Sequence, residues 1–387
     1  MSSSSEIVLT SSPDGPITAY DASSGAILAC FTGSRSPRQG LALVGNTFIA
    51  ASHISSSATA SGSVHLYNWW SSTVFHHLPL PEPVAPLTAT PDGLYLFAGG
   101  VSGNIHSLSL PLGNILNSLP AHEKPISCLK ITGDGSLLIS GGDDGTIVVT
   151  PIFRLLEESS VNPILHRIAA HAASVTAFTL YNTTLISSSL DCTCKFWNLL
   201  HGNHLRTVAF PCSISGVALH PSETEFYAAG SDGFVYKGGR RNGVAKWAQK
   251  HDGAIMSLMA MNGGRDLVSA AEDGSLWVRE AKTGHVIMAV KNETESISDM
   301  VVAKGIGNGK GKGVDNELVG NLRSVGLCGR ELSFRVKETL EMGDILSVTA
   351  KDRRRAIEML ESAIKVYERL LELILKEAKQ GSGNGGE

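Results

Sequence analysis

Through most of this chain apolar residues come in short alternating runs, not at helical spacing. Stretches such as Ile126-Ser127-Cys128-Leu129-Lys130-Ile131 and Leu137-Leu138-Ile139-Ser140 are rich in aliphatic and β-branched side chains, and Gly, Asp, Asn and Ser separate them. That pattern predicts short strands joined by tight turns. One turn recurs: Asp14-Gly15, Ser61-Gly62, Ser102-Gly103, Asp144-Gly145, Asp191-Cys192, Asp232-Gly233 and Asp273-Gly274. Successive turns lie 47, 41, 42, 47, 41 and 41 residues apart. Three residues after each first position stands Ile17, Val64, Ile105, Ile147, Cys194, Val235 or Leu276. Each unit therefore reads as an inner strand, a turn, two strands joined by the recurrent hairpin, and an outer strand. Gly at six of the seven second positions fits a hairpin that needs positive φ. A four-stranded unit at this period predicts an all-β, seven-bladed propeller over residues 1–304.

A ring of blades needs a strand from each end. The first unit, from Glu6, lacks an inner strand, and a surplus strand lies at residues 297–302. Pairing it beside residues 7–11 would hide both edges. Two repeats are long. One holds the Ser/Ala/Thr-rich residues 54–61, which read as a tolerated surface loop. The other holds residues 153–171, whose Leu155, Leu156, Ile164 and Leu165 suggest an ordered element or a docking surface.

Beyond the repeats the pattern changes. Residues 305–321 are Gly-rich and polar and read as a linker, since no Gly-Lys-Ser/Thr makes them a phosphate loop. Residues 322–348 form a connecting segment. Ile357, Ile364 and Leu371 are seven apart, as are Leu360, Tyr367 and Ile374. Interleaved as a and d positions, they predict a coiled-coil helix over residues 349–380, with a disordered tail at 381–387. Such a helix needs a partner, which is a second copy, another subunit or its own propeller. Arg353, Arg354 and Arg355 stand at its start, where positive charge opposes the helix dipole. This suggests a contact with an acidic partner, an RNA phosphate or an import receptor, beside the plainer reading of a solvated charge run.

Composition narrows the function. The formal net charge is −4, which argues against a wholesale polyanion grip. Six cysteines show no paired framework, and Cys192 and Cys194 alternate along one strand, a poor zinc pair. They read as reduced thiols of an intracellular protein. The N-terminus lacks a basic, apolar leader, and no apolar run reaches the roughly 20 residues of a membrane span. No metal or cofactor is expected.

The fifth repeat holds a full tetrad of loop His171, strand Ser187, turn Asp191 and strand Trp197. A buried chain of hydrogen bonds through these four would fix the blade's geometry. A Ser–His–Asp hydrolase is the rival reading, but no Gly-x-Ser-x-Gly surrounds Ser187. The fourth repeat keeps His122, Ser140 and Asp144, with Thr150 for Trp. The seventh keeps His251, Ser269 and Asp273, with Arg279 for Trp.

Particular segments carry a resemblance. Ser36-Pro37-Arg38-Gln39-Gly40-Leu41-Ala42-Leu43 is similar to the segment that leads into blade two of the WD-repeat subunit of the rixosome, a complex that helps mature large-ribosomal-subunit precursors. Residues 88–100, 126–142 and 187–198 resemble its third, fourth and fifth blades. Within that family the chain looks most like the plant Root Initiation Defective type. Thr150-Pro151 and the sixth repeat depart from the pattern. The resemblance implies a non-enzymatic scaffold in the nucleolus and nucleoplasm, with a role in meristem development. Its partners would be a helical-repeat scaffold subunit, a dynein-like AAA ATPase reached through the complex, and the pre-ribosomal particle during internal-spacer processing. A homodimer through the C-terminal helix is a further expectation. The alternative class is a ubiquitin-ligase substrate receptor or chromatin reader. The Trp-Asp-x-Arg usual in ligase receptors fails at Trp197-Asn198 and at Trp277-Val278-Arg279.

Overall fold

The computed structural model describes residues 6–304, apart from residues 55–60, 111, 157–162, 182, 222–224, 240–242 and 292–295. The predicted linker, connecting segment, coiled-coil helix and tail all lie outside the described residues, as does most of the serine-rich loop.

Seven four-stranded antiparallel sheets make up the described chain. The inner strands of blades two to seven are Leu41–Val44, Val84–Ala89, Ile126–Ile131, Val175–Tyr181, Ile214–Leu219 and Ile255–Met261. Blade one takes its inner strand from the far end of the chain: Asp299–Lys304 pairs with Glu6–Ser11 from Glu6↔Lys304 to Ser11↔Asp299. The closing strand starts two residues later than the alternation suggested, because Ile297 is buried in the core before the ladder begins. Inner strands of neighbouring blades touch all round the ring, including the closing strand against blades two and seven.

Strand pleating explains this arrangement. Successive side chains point to opposite faces, so a strand apolar at every position must be covered on both sides. In blade four Leu138 and Val148 face the core shared with blade three, while Ile139, Ile147 and Val149 face the core shared with blade five. The described residues form seven such clusters, one per interface. The seam is one of them: Val8 and Tyr20 of blade one pack with Val268, Leu276 and Val278 of blade seven and with Ile297 and Met300.

The recurrent hairpins use the left-handed region at Gly103, Gly145, Gly233 and Gly274. Cys192 adopts it too, at φ 64, although a side chain there costs energy that glycine avoids. Gly15 departs from the expectation, with a φ outside that region, and so does Gly62. At Gly62 glycine is needed because a Cβ would strike the Glu82 carbonyl. In the long repeat, Ile152–Leu156 is a short helix. Its Ile152 and Leu155 are buried between blades three and four, and Leu156 and Ile164 pack against the same cluster. Among the described large apolar residues of that segment, only Phe153 and Leu165 are exposed.

Removing the closing strand uncovers the Glu6–Ser11 edge and one wall of the seam core. A chain ending at residue 295 should aggregate or melt at much lower temperature. A chain ending at residue 321 should keep the parent's cooperative transition by circular dichroism. An unchanged melting temperature for the shorter chain would contradict the closure.

Candidate functional site

The polar side chains of this propeller cluster at the hairpins that join second and third strands. Blade five has the longest chain of bonds. The Trp197 indole N–H donates to Ser187 Oγ at 2.9 Å. Ser187 Oγ lies 2.8 Å from His171 Nε2, and His171 Nδ1 lies 2.9 Å from Asp191 Oδ2. Asp191 also accepts from the Ala172 and Thr193 N–H groups and from the Thr193 hydroxyl. The partners assign the protons: His171 donates from Nδ1 to the carboxylate and accepts the Ser187 hydroxyl at Nε2. Burial holds the His171 pKa below its ordinary value, against the opposing pull of Asp191. Burial would raise the Asp191 carboxyl, yet hydrogen bonds from Thr193 and His171 hold it below the usual range. A neutral imidazole beside an ionised carboxylate is the result.

Atom for atom this is the order of a hydrolytic triad, but its surroundings forbid that use. Ser187 is 0% exposed, and its oxygen is already engaged by the Trp197 N–H. A nucleophile needs an approach path and an oxyanion site beside it. Here the fourth partner occupies that space, and the arrangement locks hairpin, loop and strand together.

The other blades vary the theme. In blade four His122 Nε2 lies 2.8 Å from Ser140 Oγ, and its Nδ1 lies 2.8 Å from Thr146 Oγ1 and 3.3 Å from Asp144. Thr150, in the Trp place, is buried with its hydroxyl unpartnered. In blade seven Ser275 stands between His251 Nδ1 and Asp273, 2.5 Å from each. Arg279, in the Trp place, is 0% exposed and lies 4.7 Å from the Trp277 ring centroid and 5.6 Å from that of Trp247. Its Nη1 donates to the Gln249 carbonyl, and burial lowers its pKa to about 10. Two aromatic faces thus hold a cation where an indole usually sits.

Blade three has a network that sequence reading missed. Glu82 takes the loop-histidine place and His106, on the third strand, supplies the imidazole; His106 Nε2 lies 2.8 Å from Glu82 Oε1. Ser102 donates to the same carboxylate through its N–H and its hydroxyl, and Asn104 does so through its side-chain amide. The available signal was spacing: Glu82 precedes Ser102 by as many residues as His171 precedes Asp191. Blade six substitutes Cys212 and Tyr236, whose hydroxyl donates to Asp232 Oδ2 at 2.6 Å. Gly238 has the Trp place there, and a Cβ on it would collide with the Phe226 ring.

No cluster of three His, Cys, Asp or Glu among the described residues could hold a metal ion. His53 stacks on His65 with ring centroids 4.5 Å apart, and His77 lies tilted against His65 at 5.1 Å. The five described cysteines are free. No described helix is long and apolar enough to cross a membrane. Arg353, Arg354 and Arg355, with the heptad positions Ile357, Leu360, Ile364, Tyr367, Leu371 and Ile374, lie outside the described residues.

The repeated sheets and their hairpin networks define a seven-bladed WD-repeat propeller. The WD domain, G-beta repeat family matches residues 113–149 and 162–198. The crystal structure of the computationally designed Ika8 protein shares the fold. Its TM-score is 0.58 at 19% identity, over 77% of this chain and 90% of that one. Protein ROOT INITIATION DEFECTIVE 3 of Arabidopsis thaliana is 33% identical over 72% of this chain and 66% of its own length. WD repeat-containing protein 18 of Homo sapiens is 30% identical over 56% of this chain and 51% of its length. Pre-rRNA-processing protein crb3/ipi3 of Schizosaccharomyces pombe is 26% identical over 49% of this chain and 45% of its length. The chain belongs to the family of these relatives, the rixosome WD-repeat subunit. It spans between about half and two thirds of their length.

Replacing Asp191 with Ala should leave the buried His171 Nδ1–H without its carboxylate acceptor. That costs about 1–3 kcal/mol. Denaturant titration should show the loss, with partner binding per folded molecule unchanged. Normal stability with lost binding would make Asp191 a contact residue instead.

Proposed function

We propose that this protein is a non-enzymatic scaffold in ribosome biogenesis, supporting large-subunit precursor maturation and ribosomal RNA internal-spacer processing. One observation carries the reading: its relatives include the pre-rRNA-processing proteins crb3/ipi3 of Schizosaccharomyces pombe and IPI3 of Mycosarcoma maydis. The chemistry of the blades agrees with it, since the imidazoles and carboxylates of the hairpin networks in blades three, four, five and seven are bonded to neighbouring side chains. The protein acts in the nucleolus and nucleoplasm, and the similarity to the Arabidopsis relative extends the reading to meristem development.

In this reading residues 305–321 are a linker, 322–348 a connecting segment and 381–387 a tail. Residues 349–380 form the partner-binding helix. It pairs with a helical-repeat scaffold subunit or with a second copy, and the complex brings in a dynein-like AAA ATPase and the pre-ribosomal particle. Arg353, Arg354 and Arg355 supply a basic contact beside the helix.

Affinity purification of the full chain from nuclear extract should recover ribosome-assembly factors, and depletion should cause spacer-containing precursor RNA to accumulate. Recovery of a cullin adaptor without assembly factors would overturn the reading.

The helix is tested separately. Changing Ile364 and Leu371 together to Asp places two charges in the apolar seam. The double variant should lose its oligomeric mass in light scattering or fail to pull down the helical-repeat subunit, while the propeller melts as before. Retention of both would remove the coiled coil from the proposal.

A further inference from the structure

The outer margin between blades five and six carries cations seated on aromatic rings. The outer strand of blade six, Val244–Lys246, is short and exposed throughout. Lys246 ends it, Lys250 stands in the loop that follows, and both are exposed. Their ammonium nitrogens lie 4.6 and 5.6 Å from the centre of one ring, that of Phe234, just after the Asp232-Gly233 turn. On the outer strand of blade five, the Arg206 guanidinium lies 5.8 Å from the centre of the Phe196 ring. It reaches across the interface, where its Nη1 donates to the Gly239 carbonyl of blade six at 3.0 Å. Both rings are partly buried at the edge of the core that these two blades share.

The two lysines have no carboxylate of their own. Like charges beside one ring repel each other, and an acid between them would be the usual remedy. Neither lysine makes an ion pair among the described residues. From Phe234 to His251 the sequence holds no Asp or Glu. The described carboxylates of the blade are engaged elsewhere. Glu225 pairs with Lys237 at 2.9 Å, and Asp232 accepts the Tyr236 hydroxyl and the Phe234 N–H. Asp252, the next acid along the chain, pairs with Lys291 at 3.7 Å.

We propose that this margin is a contact for single-stranded RNA. The ammonium groups of Lys246 and Lys250 and the guanidinium of Arg206 take phosphates, and the Phe234 ring takes the face of a base. The rings favour nucleic acid over an acidic peptide. A peptide carboxylate needs only the charges, whereas a base needs a flat apolar face beside a cation. The formal net charge of −4 does not oppose this, because the contact is local and its cations stand together. RNA is then a direct partner of the ribosomal RNA-processing scaffold proposed above, on which reading this contact rests.

Fluorescence anisotropy of the purified full chain with a labelled oligouridine of about a dozen nucleotides tests the contact. Affinity should fall roughly twentyfold between about 50 and 200 mM salt, as three phosphate contacts on a single strand require. Changing Lys246 and Lys250 together to Gln should weaken binding and reduce that salt dependence to about threefold, the effect of one remaining phosphate contact. Phe234→Leu should weaken binding at least roughly fivefold, the effect of one lost base stack, with the salt dependence unchanged. Lys124→Gln, in the loop before blade four, should bind like the parent. Absence of binding in the parent, or an unchanged affinity and salt dependence in the double lysine variant, would overturn the contact. Both lysines are exposed, so that variant keeps the fold even where Phe234→Leu does not. Displacement of the RNA by an equal charge of polyglutamate would also overturn it and assign the margin to an acidic protein. None of these outcomes changes which assembly factors the full chain recovers from nuclear extract, so the scaffold reading is tested separately.

Discussion

Every blade of this propeller is apolar on both faces, and that constraint governs the rest of the structure. A sheet covered on one side can meet water on the other, but Ile139 and Leu138 on one strand demand opposite neighbours. Seven sheets with that demand satisfy it only by following one another round a closed ring. The last sheet must then meet the first, which is why a strand from residue 299 onward completes a sheet begun at residue 6. Stability in such a molecule is shared among seven comparable interfaces, and the loss of one exposes both blade faces that met there.

Within that ring the hydrogen-bond networks serve geometry. Hydrophobic faces set which blades touch but only weakly set the angle of a hairpin, because apolar contact is not directional. Directional bonds from His171, Asp191 and Ser187 do so in blade five. Blade three reaches the same end with carboxylate and imidazole exchanged between loop and strand, and blade seven with a cation between two indoles. The chemistry varies while the place in the blade does not, which argues that the selected property is the hairpin's position.

Sequence pattern alone made the ring, its blade number and its seam legible, because each rests on local alternation and a regular turn spacing. The blade-five network was legible for the same reason: all four residues sit at fixed offsets within one repeat. Glu82 and His106 escaped notice because their roles are swapped, so a search for histidine before the turn finds a glutamate. Arg38 escaped for a different reason. Its Nη2 donates to the carbonyl of Ser215, which lies far along the chain and which the arginine of blade two's entry loop meets only once the ring has closed. The positive φ of Cys192 could not be read from a residue that seldom adopts it, although its place in the repeat, where four other hairpins have a left-handed glycine, marked the spot.

The seam has a mechanical consequence. Glu6 and Lys304 pair at the same end of the ladder, so the chain beyond 304 departs from the first rung. Tension between that segment and the body of the ring would load the rungs one after another, as a zip is opened, and not all together as in shear. Antiparallel strands pulled in that direction part at low force. The two ends of this propeller thus form a latch that holds firmly at rest and yields to a directed pull on the segment leaving it.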